Sequence, residues 1–208
     1  MPAGTSAPCR HPRHPCIVAT MLFDPTPSKL VENQQPQHGV FSSIPGQTNL
    51  RSMRRGLGSG LRFKAWHHLL IDSPAVSLTV AMVDLGFLNT AWVRCIPHDK
   101  ASFEVARRSP LTRCHIQPGL QASTSTYRGR RFSLQLHHQT PHQHRLSFAS
   151  KRVTIDLSLH GGDNDPLAVC LPLGNDQAMY SQKMPLSCGG EVILDGQTYR
   201  LNEAQAMI

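Results

Sequence analysis

Between Lys64 and Leu201 the chain consists of short runs of alternating polar and apolar residues, most of them closed by Ser, Pro, Gly, Asn or Asp. A period of two marks half-buried strands, and the closing residues are those that turn a chain back on itself. The first run, Lys64 to Asp72, is aromatic and aliphatic and stops at Ser73 and Pro74. Within it Trp66 and His68 share one face, and His67 takes the other. The second, Val76 to Asp84, puts Leu78, Val80, Met82 and Asp84 on one face and Ser77, Thr79, Ala81 and Val83 on the opposite one. Leu85 and Gly86 then supply a turn. Further strands are predicted at 90–96, 102–107, 123–128, 131–138, 144–149, 152–159 and 167–171. Asp195-Gly196, between the β-rich arms of Glu191 to Leu201, predicts a hairpin with a type I′ turn. No helix of four turns and no repeat of fixed period is visible. The fold class is therefore all-β and antiparallel, a barrel or a strongly curved sandwich.

Residues 1 to 50 carry much of the proline and hold neither period. The expectation is an irregular, disordered leader over 1–55 and a β domain over 56–208. Arg51, Arg54 and Arg55 with Gly56, Gly58 and Gly60 look like a glycine-rich loop, but no strand precedes them and the Lys-Ser/Thr pair of a phosphate loop is missing. They read as a solvated lead-in to the first strand.

Composition narrows the function classes. Charged residues make up 16% of the chain and apolar ones 39%, which suits a loop-rich globular protein. The net charge of +8 is spread along the sequence rather than gathered on one face, and no nucleic-acid-reading motif is present, so no nucleic-acid partner is expected. No run reaches the ~18 to 20 apolar residues of a membrane helix, and Met1 to Pro15 lacks the apolar run of a signal peptide. These features predict a cytoplasmic protein without integral membrane association. The six cysteines, Cys9, Cys16, Cys95, Cys114, Cys170 and Cys188, are then expected as reduced thiols, several of them in strands.

No Gly-x-Ser-x-Gly elbow, His-Glu-x-x-His pair, Cys-x-x-Cys pair or dinucleotide fingerprint occurs, so neither cofactor nor metal is expected. Cys9, His11, His14 and Cys16 have zinc-ligand side chains at close spacing, but the prolines between them and the lack of a second structured half argue against a site. His137, His138, His142 and His144 form the densest imidazole group and read as a polar turn around Pro141, with adventitious metal binding as the alternative. Asp84 has two readings, a buried general acid or the cap of the turn before Gly86, and the second is the simpler. Glu191 pairs with Asp84 only if their strands are neighbours. Tyr180 and Lys183 are placed at a barrel mouth, where a cation meets a polar head group.

The order of local patterns is itself informative. Trp66-His67-His68, Val83 to Gly86, Arg108 to Leu111, Leu171 to Gly174, Tyr180 to Lys183, Gly190 to Val192, and Asp195-Gly196 with Tyr199 follow one another as in the bacterial domain of unknown function 2804 family, which the chain resembles over about residues 60 to 203. The resemblance implies a lipocalin-like barrel with an apolar interior, distantly similar to the hydroxyneurosporene synthase group of carotenoid hydratases. Residues 1 to 50 do not look like the family's N-terminal part, and the chain stops at Met207-Ile208 where members continue, so a barrel incomplete at its C-terminus is expected.

Three functions follow. The first is binding of an apolar or lipid-like small molecule inside a barrel, with Trp66, His68, Leu78, Val80, Met82, Tyr180 and Lys183 as ligand-binding residues. The second is a cofactor-independent hydratase or isomerase, with Asp84 as the catalytic acid and Trp66 stabilising a cation through its π face. The third is structural, with self-association through open sheet edges.

Overall fold

The alternating runs become strands because one set of side chains in each is apolar enough to be buried while the other remains solvated. The computed structural model describes residues 23–53, 59–110, 114–120, 122–163, 165–174 and 177–208. In chain order the strands are β1 (Val31–Glu32), β2 (Gln35–Pro36), β3 (Gly39–Phe41), β4 (Ala65–Asp72), β5 (Val76–Asp84), β6 (Asn89–Pro97), β7 (Phe103–Ser109) and β8 (Cys114–His115). They continue with β9 (Ser123–Gly129), β10 (Phe132–Thr140), β11 (Gln143–Ser150), β12 (Val153–Gly161), β13 (Leu167–Gly174), β14 (Gln177–Lys183), β15 (Pro185–Leu194) and β16 (Gln197–Met207). Helical structure among the described residues is a 3₁₀ turn at Leu50–Met53 and a single α-turn at Ser59–Arg62.

Eleven strands form one antiparallel sheet in the order β7-β6-β5-β4-β16-β15-β12-β11-β10-β9-β8. The sheet curls into a half-barrel. Its apolar face closes on itself, so that Leu69, Leu78, Val80 and Met82 from one side share a core with Tyr127, Phe132, Leu134 and Phe148 from the other. Phe132 anchors that core, standing edge-on to Tyr127 at 5.5 Å and to Phe148 at 4.9 Å between ring centres. The sheet remains open, with β7 and the two-residue β8 as its edges. Among the described residues, no helix is long and apolar enough to cross a membrane.

The hairpin at the end of the chain forms as its sequence predicts. Asp195 and Gly196 both take positive φ, 50° and 84°, as a type I′ turn requires, and Arg152 holds the Asp195 carboxylate with Nε 2.7 Å from Oδ1. A register shift between Cys188 and Gly190 interrupts the pairing of β15 with β16. Gly190 sits there at φ 134°, with β12 packed against its bare Cα.

The structure corrects the reading of residues 1–55 as an irregular leader wherever it describes them. Leu30 and Phe41 are buried with Ala168 and Cys170 in a second, small core, and β3 joins β13 and β14 in a separate three-stranded sheet. Asn49 clamps the segment, its Oδ1 accepting from the Val31 amide and its Nδ2 donating to the Val31 carbonyl, both at 2.9 Å. Cys9, His11, His14, Cys16, Arg54, Arg55, Gly56, Gly58 and Leu111 lie outside the described residues. Cys95, Cys114, Cys170 and Cys188 are buried and unpaired, each in a strand, and burial pushes the thiols of Cys95, Cys114 and Cys188 up to about 12. They remain neutral near pH 7 and lack the thiolate on which cysteine reactivity depends.

Candidate functional site

Strand β4 is hydrogen-bonded to β5 along nearly its whole length, but β16 meets it only at Leu70, Ile71 and Asp72. Beside the rest of β4 lies a groove of about 190 Å³. One wall is β4, with Trp66, His68 and Leu70; the opposite wall is the end of β14, with Tyr180 and Lys183; the segment Gln117 to Leu120 and Met207 complete it. Residues from both faces of β4, Ala65 and His67 as well as Trp66 and His68, line the groove, which therefore runs along the strand's edge. A second cleft, of about 260 Å³, lies against Ile44 to Asn49 and shares Pro118 and Gly119 with the first.

The groove is apolar on a polar frame. Trp66 is 49% exposed, and Leu70 and its cross-strand partner Met207 are also exposed, so a patch of ring and aliphatic surface faces solvent there. Tyr180 packs its ring on the small core, and its hydroxyl donates to Gln182 Oε1 at 2.9 Å. Burial, with Cys170 nearby, pushes that phenol upward, so it stays a neutral wall. Lys64 is tied down: its Nζ donates to the Leu61 carbonyl at 2.6 Å and to the Leu85 carbonyl, and it lies 4.9 Å from the Phe87 ring centre.

The sequence-predicted ligand residues thus fall into two groups. Trp66, His68, Tyr180 and Lys183 come together in the groove. Leu78, Val80 and Met82 do not join them, because they face the other side of the sheet and are packed solid in the main core at 2% exposure or less. Asp84 stands at the end of β5 with its Oδ1 accepting the Gly86 amide at 2.8 Å, which is the turn-capping geometry. It shares a face with Met82 and does not line the groove that holds Trp66. Asp84→Ala is expected to cost about 1 kcal/mol in thermal denaturation and to leave any ligand affinity unchanged. Glu191 is separated from β5 by two strands and pairs with Arg200 at 3.3 Å instead of Asp84.

Behind the groove lies a cluster that joins His67 to His138 and His144 of the imidazole-rich stretch, which the sequence pattern alone reads as a polar turn. His67 faces inward from β4; its Nε2 is 3.2 Å from the Gln117 carbonyl and 2.9 Å from Ser125 Oγ. A carbonyl oxygen only accepts, so Nε2 carries the hydrogen, and His67 is not a base toward Ser125. Ser125 Oγ also accepts the Gln117 amide at 3.0 Å. Through these bonds His67 and Ser125 fix the segment that forms one wall of the groove. Across the interior, the His138 ring lies 5.3 Å from that of His67 and 4.7 Å from that of His144. The Nδ1 atoms of His138 and His144 are 2.8 Å apart, so one donates and the other accepts, and the two rings hold opposite tautomers. Their Nε2 atoms are buried without a hydrogen bond of normal geometry. Burial is the main reason all three imidazoles are held below their ordinary range, His67 at about 4. The signal was available in the alternation, since Leu134, Leu136 and His138 alternate on one face of β10, and His144, Leu146 and Phe148, their cross-strand partners, on the same face of β11. His137 and His142 lie outside the cluster, His137 bonding Thr124 Oγ1 at 2.8 Å and His142 approaching Asp165 at 3.7 Å. Among the described residues, no three His, Cys, Asp or Glu side chains are placed to hold one metal ion.

The sequence pattern of a domain of unknown function, DUF2804, matches residues 30–208. The chain is a member of the DUF2804 family. The match begins at Leu30 of the small core, so in this DUF2804 domain the three-stranded sheet lies within the matched residues. No curated protein and no solved structure matches the chain.

Proposed function

We propose that this DUF2804 domain binds a small, largely apolar molecule in the groove between β4 and β14. The observation that carries the reading is the convergence of Trp66, His68, Tyr180 and Lys183, from strands more than a hundred residues apart, on one concavity whose surface includes exposed Leu70 and Met207. A flat aromatic face beside a few convergent polar groups is the usual make-up of a ligand site. At about 190 Å³ the groove is smaller than the ~300–1,000 Å³ typical of drug-sized ligands, which points to a fragment-sized molecule or one segment of a longer one. The barrel interior is the poorer container, because Leu78, Val80 and Met82 fill it with Phe132 and Phe148. The unpaired buried thiols suit a reducing compartment such as the cytoplasm.

Native mass spectrometry before and after organic extraction, with Nile red titration of the extracted protein, tests the proposal. The expected result is an extractable adduct or saturable dye binding that Trp66→Ala weakens roughly tenfold, the loss of ~1.4 kcal/mol of ring contact. Dye binding indifferent to Trp66→Ala, with no adduct, would overturn it. Self-association through the open edge of β7 is the second reading. Glu104, Arg107 and Arg108 on that strand are exposed charges of the kind that oppose edge pairing, and sedimentation velocity distinguishes monomer from dimer.

A further inference from the structure

Two ammonium groups line the groove, those of Lys64 and Lys183, and no Asp or Glu side chain among the described residues does. Lys64 is occupied by the Leu61 and Leu85 carbonyls. The Lys183 ammonium has no hydrogen-bond or ion-pair partner among the described residues, and it stands exposed at the end of β14, in the same groove as Trp66. A cation left unpaired beside an aromatic and aliphatic patch recognises a molecule with an apolar body and an anionic end.

We propose that the groove selects an organic carboxylate, its apolar body against Trp66 and Leu70 and its carboxylate accepting hydrogen bonds from the Lys183 ammonium. The inference rests on the groove being the binding site proposed above and adds the chemical class of the ligand. Charge accounts for the selectivity. A neutral amide of the same shape keeps the apolar contacts and a hydrogen bond to its carbonyl but loses the ion pair, and a cation of the same shape meets Lys183 with like charge. Lys183 is exposed, so water and salt screen much of the attraction, and the discrimination is modest and falls as salt rises.

The test is a matched series of hydrocinnamate, hydrocinnamamide and phenylpropylammonium, titrated by protein-observed NMR into the full chain and into Lys183→Gln and Trp66→Ala. The expected order is carboxylate about fivefold tighter than amide, with the ammonium weakest. Lys183→Gln is expected to remove most of the difference between carboxylate and amide while leaving the melting temperature unchanged. Equal affinities across the series, or an ammonium that binds best, would overturn the carboxylate assignment and leave the groove as a site for neutral molecules. Failure of every probe to shift resonances of groove residues, or binding insensitive to Trp66→Ala, overturns the groove itself and the assignment with it.

Discussion

Acidification is expected to unfold this protein cooperatively, with stability intact above pH 6.5 and falling steadily below it. His67, His138 and His144 are buried as neutral rings, and burial holds each below the 6.5 of an unfolded imidazole. Below that pH the unfolded chain binds protons that the folded one refuses, so stability falls as the pH is lowered and levels off only when the folded rings accept protons, at about 4 for His67. His67 alone contributes a loss on the order of 3 kcal/mol across that window, at ~1.36 kcal/mol per pH unit. His138 and His144 add to it with the same sign, because protonating both rings leaves neither Nδ1 able to accept the hydrogen bond between them and places two cations side by side. The titratable side chains facing His138 and His144 from around the cluster are His137, His142 and His160, with no carboxylate among them. Circular dichroism against pH should show the midpoint move to lower pH in the double variant His138→Leu/His144→Leu, which also removes two buried unsatisfied nitrogens. An unchanged midpoint would mean that the cluster does not govern acid stability.

The second large effect is expected from a single methyl group. Gly190→Ala should lower stability by about 3 kcal/mol and the melting temperature by roughly 10 °C. The residue lies at φ 134°, where side chains other than glycine are strained, and a Cβ there would overlap the Asp156 carbonyl oxygen and come within 3.1 Å of the Leu157 Cα. Both atoms belong to the backbone of β12, so relief requires two central strands to separate. The neighbouring Gly189→Ala is the control, since its Cβ would meet only the Leu201 carbonyl oxygen at 3.4 Å, an ordinary contact. Thermal denaturation of the pair separates backbone congestion at one position from a general requirement for glycine in the bulge. Equal melting temperatures for the two variants would overturn the assignment.

The strands were legible in the sequence because each is patterned locally: β4, β5, β9, β10, β11, β12 and the β15–β16 hairpin all fall where alternation and turn residues put them. The split of Trp66 and His68 from His67 was legible for the same reason. Whether the inner face of a curled sheet encloses space or packs solid was not, since Leu78, Val80 and Met82 satisfy the same alternation in either case and only the side chains across the interior decide. The joining of Tyr180 and Lys183 to Trp66 depends on β13 and β14 leaving the main sheet for a partner at Gly39–Phe41, a pairing with no local signal. In the stretch from His137 to His144, the density of imidazoles suggested a solvated turn, and strict period two would have buried two of them.

The strand order also sets a timetable for synthesis. β4 through β7 form a meander of sequential neighbours, and so do β8 through β12, and local pairings of this kind close quickly. The two meanders are joined through β15 and β16, and the contact that completes the sheet is Leu70–Asp72 against Gln205–Met207. Until residue 207 has left the ribosome, the free edge of β4 and its apolar inner face have no permanent neighbour. The nascent chain is therefore exposed to misassociation until Gln205–Met207 emerge, and their docking on Leu70–Asp72 is the step that ends that exposure.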